Sequence, residues 1–162
     1  MLSRNTAAKQ RWGGQDTSLD RWLEERQSIL VQYCSLAGLP PYSENRGQLP
    51  SIEHIQHFCE TLVDYVSAGH FELYDRILSQ ANEHDQHAKE VAEQVYPQIA
   101  ETTEAALAFN DQFGEIDTDS SLTGFDRQLS IIGEAIEQRL ELEDKLLQLL
   151  SARELLDEKP VP

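Results

Sequence analysis

Few side chains in this chain are spaced to do chemistry, and most arrangements that catalysis or metal binding requires are missing. Five histidines occur, His54, His57, His70, His84 and His87, and two pairs are spaced i, i+3, which on a helix sets both rings on one face. A carboxylate-bridged metal pair in a helical bundle needs Glu three positions before His. The residues three before each histidine are Ser51, His54, Ser67, Ala81 and His84, and a His-Glu-x-x-His run is absent too. No metal and no other cofactor is expected. His70 is the histidine to weigh as a phosphoryl acceptor on a bundle, but Ala-Gly-His-Phe-Glu-Leu lacks the lysine and glycine that steady such a group. With no Ser/His/Asp arrangement, glycine-rich phosphate loop or Cys-x-x-Cys, an enzyme is not expected.

Arg139 and Glu143 are more telling. They lie four apart on a stripe that otherwise carries Ile and Leu. Burying either charge alone costs several kcal/mol, so they must pair with each other or with a group on another helix. Asp64 and Tyr65 are candidates for that group, or for the surface beside it. Two readings stand side by side: a structural buried network, or a groove that recognises another protein.

These residues must be positioned by helices, because apolar spacing is helical nearly everywhere. Leu19, Trp22, Leu23, Arg26, Leu30, Tyr33 and Leu36 or Ala37 recur every three or four positions after Thr17, with Gly38 and Pro40-Pro41 to end the run. Residues 42–50 read as a loop. Ser51 can cap a second helix striped by Ile55, Phe58, Cys59, Leu62 and Val66, and Gly69 predicts a break or kink before a new helix along Phe71, Tyr74, Ile77, Leu78 and Ala81. From His87 the period continues through Asn110, with Pro97 expected to kink or restart it. After a polar loop, the stripe Leu122, Phe125, Leu129, Ile132, Ile136, Arg139 or Leu140, Glu143, Leu147 and Leu150 holds one face for about eight turns. The expected fold is all-α, a single-domain antiparallel helical bundle with a four-helix core and additional short helices, over residues 17–153. Residues 1–16 read as an N-terminal segment and 154–162 as a flexible tail.

Length and charge narrow the function further. A chain of 162 residues buries roughly 70% of its unfolded surface and needs no staples. Acids outnumber Lys and Arg 29 to 13, a formal charge of -16, so direct nucleic-acid binding and anionic membranes are disfavoured and a basic protein partner is favoured. The field is uneven: residues 1–30 carry five bases and four acids, whereas residues 83–119 carry ten acids and only Lys89. No membrane-length apolar run or signal-peptide stretch occurs, so a cytoplasmic location is expected. Cys34 and Cys59 each fall on a helical stripe, as buried free thiols would.

Three blocks then stand together: Asp20-Arg-Trp-Leu-Glu-Glu-Arg26, Leu62-Val-Asp-Tyr-Val-Ser-Ala-Gly-His-Phe-Glu-Leu-Tyr74 and Ile132-Gly-Glu-Ala-Ile-Glu-Gln-Arg-Leu-Glu-Leu-Glu-Asp-Lys-Leu146. In that order and spacing the chain resembles the Rsd/AlgQ family of bacterial regulators of the housekeeping sigma factor, and Gln10-Arg-Trp-Gly-Gly14 leans toward the AlgQ branch. The resemblance implies a partner, the C-terminal helix-turn-helix domain of that sigma factor, and an anti-sigma activity that blocks its use by polymerase core and DNA in stationary phase. On that reading Asp64, Ser67, His70 and Phe71 pack on the sigma domain, while Trp22, Arg26, Arg139 and Glu143 shape the adjoining groove. The alternative is an acidic helical adaptor for another protein. The sequence leaves the oligomeric state open, because a spare apolar helix face and a partner-binding face have the same pattern.

Overall fold

The computed structural model describes residues 1–14, 17–45, 50–77, 86–117 and 122–157; the side chains of 45, 70–72 and 150–157 lie outside the described residues. Helix α2, Thr17–Ala37, buries Leu19, Trp22, Leu23, Arg26, Leu30, Tyr33 and Leu36, the stripe its spacing predicts, and Ile29 beside it. It ends where Gly38 adopts a left-handed φ of 65°, letting the Leu39 N–H reach back to the Cys34 carbonyl at 2.9 Å. A short 3-10 turn follows at Ser43–Asn45.

Helix α3, Ile52–Ala68, starts as predicted: the Ser51 hydroxyl accepts the His54 N–H at 3.1 Å. At Gly69 the expected break or kink takes the form of a change of helical register and not of a break. The backbone runs on as a π-helical turn, Gly69–Tyr74, and Gly69 itself is right-handed helical. The glycine serves close packing: a Cβ there would lie 3.1 Å from the Tyr74 hydroxyl and 3.3 Å from both Arg139 Nη2 and Trp22 Nε1. The predicted stripe continues through buried Tyr74 and Ile77, with Leu73 buried beside them, while Leu78 and Ala81 lie outside the described residues.

Helix α4, Gln86–Phe113, passes through Pro97 without a restart. Pro97 removes one intrahelical hydrogen bond, to the carbonyl of Glu93. Both residues are on the exposed side of the helix, so the freed carbonyl is not buried without a partner. Helix α5, Phe125–Asp157, buries Phe125, Leu129, Ile132, Ile136, Arg139, Leu140, Glu143 and Leu147, as its pattern predicts.

These helices form the expected all-α bundle, with α2 on α3, α3 on α4 and α4 on α5. No strand occurs among the described residues, and no helix there is long and apolar enough to cross a membrane. One end of the core is aromatic: Phe109 meets Phe58 edge-on at 5.6 Å and Phe113 at 4.9 Å, and Phe113 meets Phe125 at 5.2 Å. Cys34 and Cys59 are buried free thiols, and burial pushes Cys59 up to about 11, so it stays a thiol at neutral pH.

Residues Leu2–Trp12 of the N-terminal segment form a helix, α1, packed on α2 and α5. Asn5, Ala8 and Trp12 face inward, and the Asn5 amide donates to Gln27 at 2.8 Å. At the other end α5 carries helical backbone through Asp157, so residues 154–157, expected as the start of a flexible tail, are helical, and the rest of that tail, 158–162, lies outside the described residues.

Candidate functional site

The centre of the bundle holds charge. Arg26 on α2 and Glu143 on α5 are 0% exposed, and Arg139, one turn before Glu143, is 1% exposed. A carboxylate so deep is tolerable only if its oxygens are occupied. Tyr65 of α3 donates its hydroxyl to Glu143 Oε1, and the Tyr74 hydroxyl donates to Oε2 at 2.9 Å. Arg139 Nε also donates to Oε2, at 3.2 Å, and Arg26 Nη1 stands 3.7 Å from Oε1. Arg26 Nη2 reaches the half-buried Asp144 at 2.8 Å. Two buried arginines thus face two carboxylates, and Asp144 is shared with Arg4 of the N-terminal segment, whose Nη1 lies 3.4 Å from it.

Arg139 is further tied on its outer side. Nη1 donates to the hydroxyls of Thr102 at 3.1 Å and Thr103 at 2.8 Å, both on α4, and Nη2 donates to the Val66 carbonyl at 3.4 Å. Its guanidinium lies 5.3 Å from the Tyr65 ring centre and 5.6 Å from that of Tyr74, and Arg26 lies 5.5 Å from the Trp22 ring. Trp22 in turn stacks on Tyr65 at 6.4 Å. Burial is the largest single influence on both arginines and lowers their pKa, but for Arg26 Glu143, Tyr65 and Asp144 together, and for Arg139 Tyr74, Glu143 and Tyr65 together, outweigh it and leave each above its ordinary value.

This network holds the π turn at both ends. A π turn shifts backbone carbonyls out of α-helical register, and such turns recur at functional sites. Here Val66 O, just before the turn, receives Arg139, and Tyr74 O, its last carbonyl, receives the Tyr96 hydroxyl at 2.7 Å. The turn is therefore clamped from α5 and α4 at once.

Comparison with known proteins decides what this arrangement belongs to. The family model described as "Regulator of RNA polymerase sigma(70) subunit, Rsd/AlgQ" matches residues 1–151, nearly the whole chain. The chain belongs to the Rsd/AlgQ family. A Yersinia enterocolitica protein named regulator of sigma D is 38% identical over 149 residues, covering 91% of this chain and 89% of that protein. Proteins of the same name from Yersinia pseudotuberculosis, 36% identical over 91% of this chain and 88% of their own length, and from Salmonella paratyphi B, 38% identical over 93% and 91%, are similar throughout.

Against this Rsd/AlgQ frame the residues singled out by sequence divide into two groups. Trp22, Arg26, Arg139 and Glu143 come together, but in the interior: none presents surface to a partner, so any part they play in a groove is played from beneath it. They were placed inward because only the mutual pairing of charges makes their burial tolerable. Asp64 and Ser67 are exposed on the outer side of α3, one helical turn apart, so Tyr65 and not Asp64 is the partner of Glu143. The backbone of His70 and Phe71 lies in the π turn, while their side chains lie outside the described residues. Asp144, Tyr74, Thr102 and Thr103 were not anticipated as members of the network. Thr102 and Tyr74 carried a signal only in being polar atoms at inward positions.

The two phenols give a pH test. Burial, then the Glu143 charge, pushes Tyr65 and Tyr74 well above the usual tyrosine value, with Arg139 opposing. A folded-state pKa raised above the unfolded one contributes stability that is complete below about pH 10 and is lost as pH rises beyond it. The urea midpoint is expected to fall between about pH 8.5 and about pH 11. Phenolate absorbance from these two rings should appear only as helical circular dichroism is lost. Ionisation of all five tyrosines near their ordinary value in the folded protein would contradict the network.

Proposed function

We propose that this chain is an anti-sigma regulator that binds the C-terminal, promoter-reading domain of the housekeeping sigma factor and withholds it from RNA polymerase core and from DNA. The observation that carries the reading is the match of residues 1–151 to a family described as regulators of the sigma(70) subunit. Electrostatics supports it. A helix-turn-helix that reads promoter DNA displays Arg and Lys toward phosphates, and a chain of charge -16 attracts the same surface and competes with DNA for it.

The contact face in this reading is the outer side of α3 and the turn that follows. Exposed Asp64 supplies an ion pair, Ser67 a polar contact, and His70 and Phe71 the contacts of the π turn, Phe71 as apolar anchor. Trp22, Arg26, Arg139 and Glu143 act from beneath by fixing the turn. The protein works in the cytoplasm, touches no nucleic acid or membrane, and needs no cofactor.

Asp64→Arg is expected to weaken binding to the isolated sigma domain by about tenfold or more, since it sets like charges against each other, with an unchanged thermal midpoint. In a competition assay the unaltered protein should release the sigma domain from promoter DNA. A stable ternary complex of protein, sigma domain and DNA would contradict the proposal.

A further inference from the structure

Beside the proposed contact face, α3 and its π turn diverge from α4 over a groove of about 650 Å³. Its floor is apolar and buried: Val66 is 5% exposed, Tyr74 5% and Ile99 3%. Its edges are open and come from Ser67, Ala100 and Leu107. Leu107 is 44% exposed, one of three large hydrophobic residues so exposed among the described residues. A single exposed leucine needs no explanation, but one at the lip of an apolar groove extends that groove.

The groove is also charged in one sense. Asp75 lines it from the end of the π turn and Glu104 from α4, and among the described residues no Lys, Arg or His lines it. Helix α4 as a whole carries Glu90, Glu93, Glu101, Glu104 and Asp111 against Lys89. An anionic ligand is repelled, whereas a cationic rim around an apolar insert is attracted. The groove is also fixed in shape. Thr103, in its lining, receives Arg139, and Tyr96 bonds across to Tyr74, so the floor needs no rearrangement to accept a guest.

We infer that this groove receives an amphipathic helix of the same partner domain, one that sets aliphatic side chains on the Val66–Ile99–Leu107 surface and Arg or Lys against Asp75 and Glu104. The inference rests on the sigma-binding reading and extends it to a second contact, because Ser67 belongs to both the proposed face and the groove wall. Helix-in-groove recognition uses anchors one helical turn apart, which suits a groove running along α4. The two contacts then grip the domain from adjacent sides.

The test is titration of the isolated sigma C-terminal domain into the full chain and three variants at exposed α4 positions: Ala100→Trp, which fills the groove, Leu107→Ser, which removes its lip, and Glu104→Lys, which reverses its charge. Each is expected to weaken binding by about tenfold, the loss of one well-packed anchor, with thermal midpoints unchanged. Glu104→Lys should in addition flatten the dependence on salt. Binding by all three within about twofold of the unaltered protein, while Asp64→Arg still weakens it, overturns the groove and leaves the anti-sigma reading standing. Absence of binding by the unaltered protein overturns both.

Discussion

Glu143→Ala is expected to destabilise the fold by about 3–5 kcal/mol, a large share of the roughly 5–15 kcal/mol that holds a typical domain together. The substitution removes the one carboxylate that both buried arginines face. Arg26 keeps Asp144 at 2.8 Å, but Arg139 is left with two threonine hydroxyls and a carbonyl, none of them charged. The hydroxyls of Tyr65 and Tyr74 lose their acceptor in the same step. An uncompensated cation in the interior is the costly element, so Glu143→Gln, which keeps the shape and an acceptor oxygen, should lose most of the same stability. Urea denaturation of both variants decides the matter. A Gln variant within about 1 kcal/mol of the parent would mean that hydrogen bonding, and not charge, is what the site requires.

Trp22→Ala is the second large effect, with an expected loss of about 3–5 kcal/mol from the ring's burial and the cavity it leaves. Trp22 is 0% exposed and packs against Tyr65, Arg26 and the backbone at Gly69, so its removal also loosens the π turn. Its indole N–H makes no hydrogen bond. Trp22→Phe therefore deletes ring volume without orphaning an acceptor, and should cost far less. For Glu143→Ala, weakened sigma binding should track the fraction unfolded, whereas the folded fraction of Trp22→Ala should itself bind more weakly, because its turn is loosened. Full binding by the folded fraction of Trp22→Ala, with unchanged hydrogen exchange in residues 69–74, would show that the turn does not depend on this ring.

How far the fold could be read in advance follows from what kind of signal each element leaves. The faces of α2, α3 and α5 were legible because apolar residues at helical spacing have no other economical arrangement, and the Ser51 cap followed from residue type and place. Arg139 and Glu143 were legible as a problem, two charges on an apolar stripe, and its solution was only half visible. The carboxylate's partners Tyr65 and Tyr74 and the arginine's partners Thr102 and Thr103 come from two other helices, and one-dimensional spacing holds no record of which helices meet. Helix α1 was missed because its inward residues, Asn5, Ala8 and Trp12, include one polar and one small side chain, so their three-and-four spacing has little hydrophobic contrast. Gly69 was legible as an interruption of the α-helix, but its packing role was not. Propensity scores glycine as a helix breaker, whereas here the helix continues and the missing side chain admits Tyr74, Arg139 and Trp22 to within van der Waals contact. The groove beside α4 had no sequence signature at all, since it is made by the gap between two helices.

The central claim is that this acidic bundle captures the promoter-reading domain of the housekeeping sigma factor. The most direct measurement is calorimetric titration of that isolated domain with the full chain at low and at moderate salt. The account predicts saturable one-to-one binding at both, weaker at the higher salt because screening shortens the reach of the acidic field. Absence of binding at both salt concentrations would contradict it.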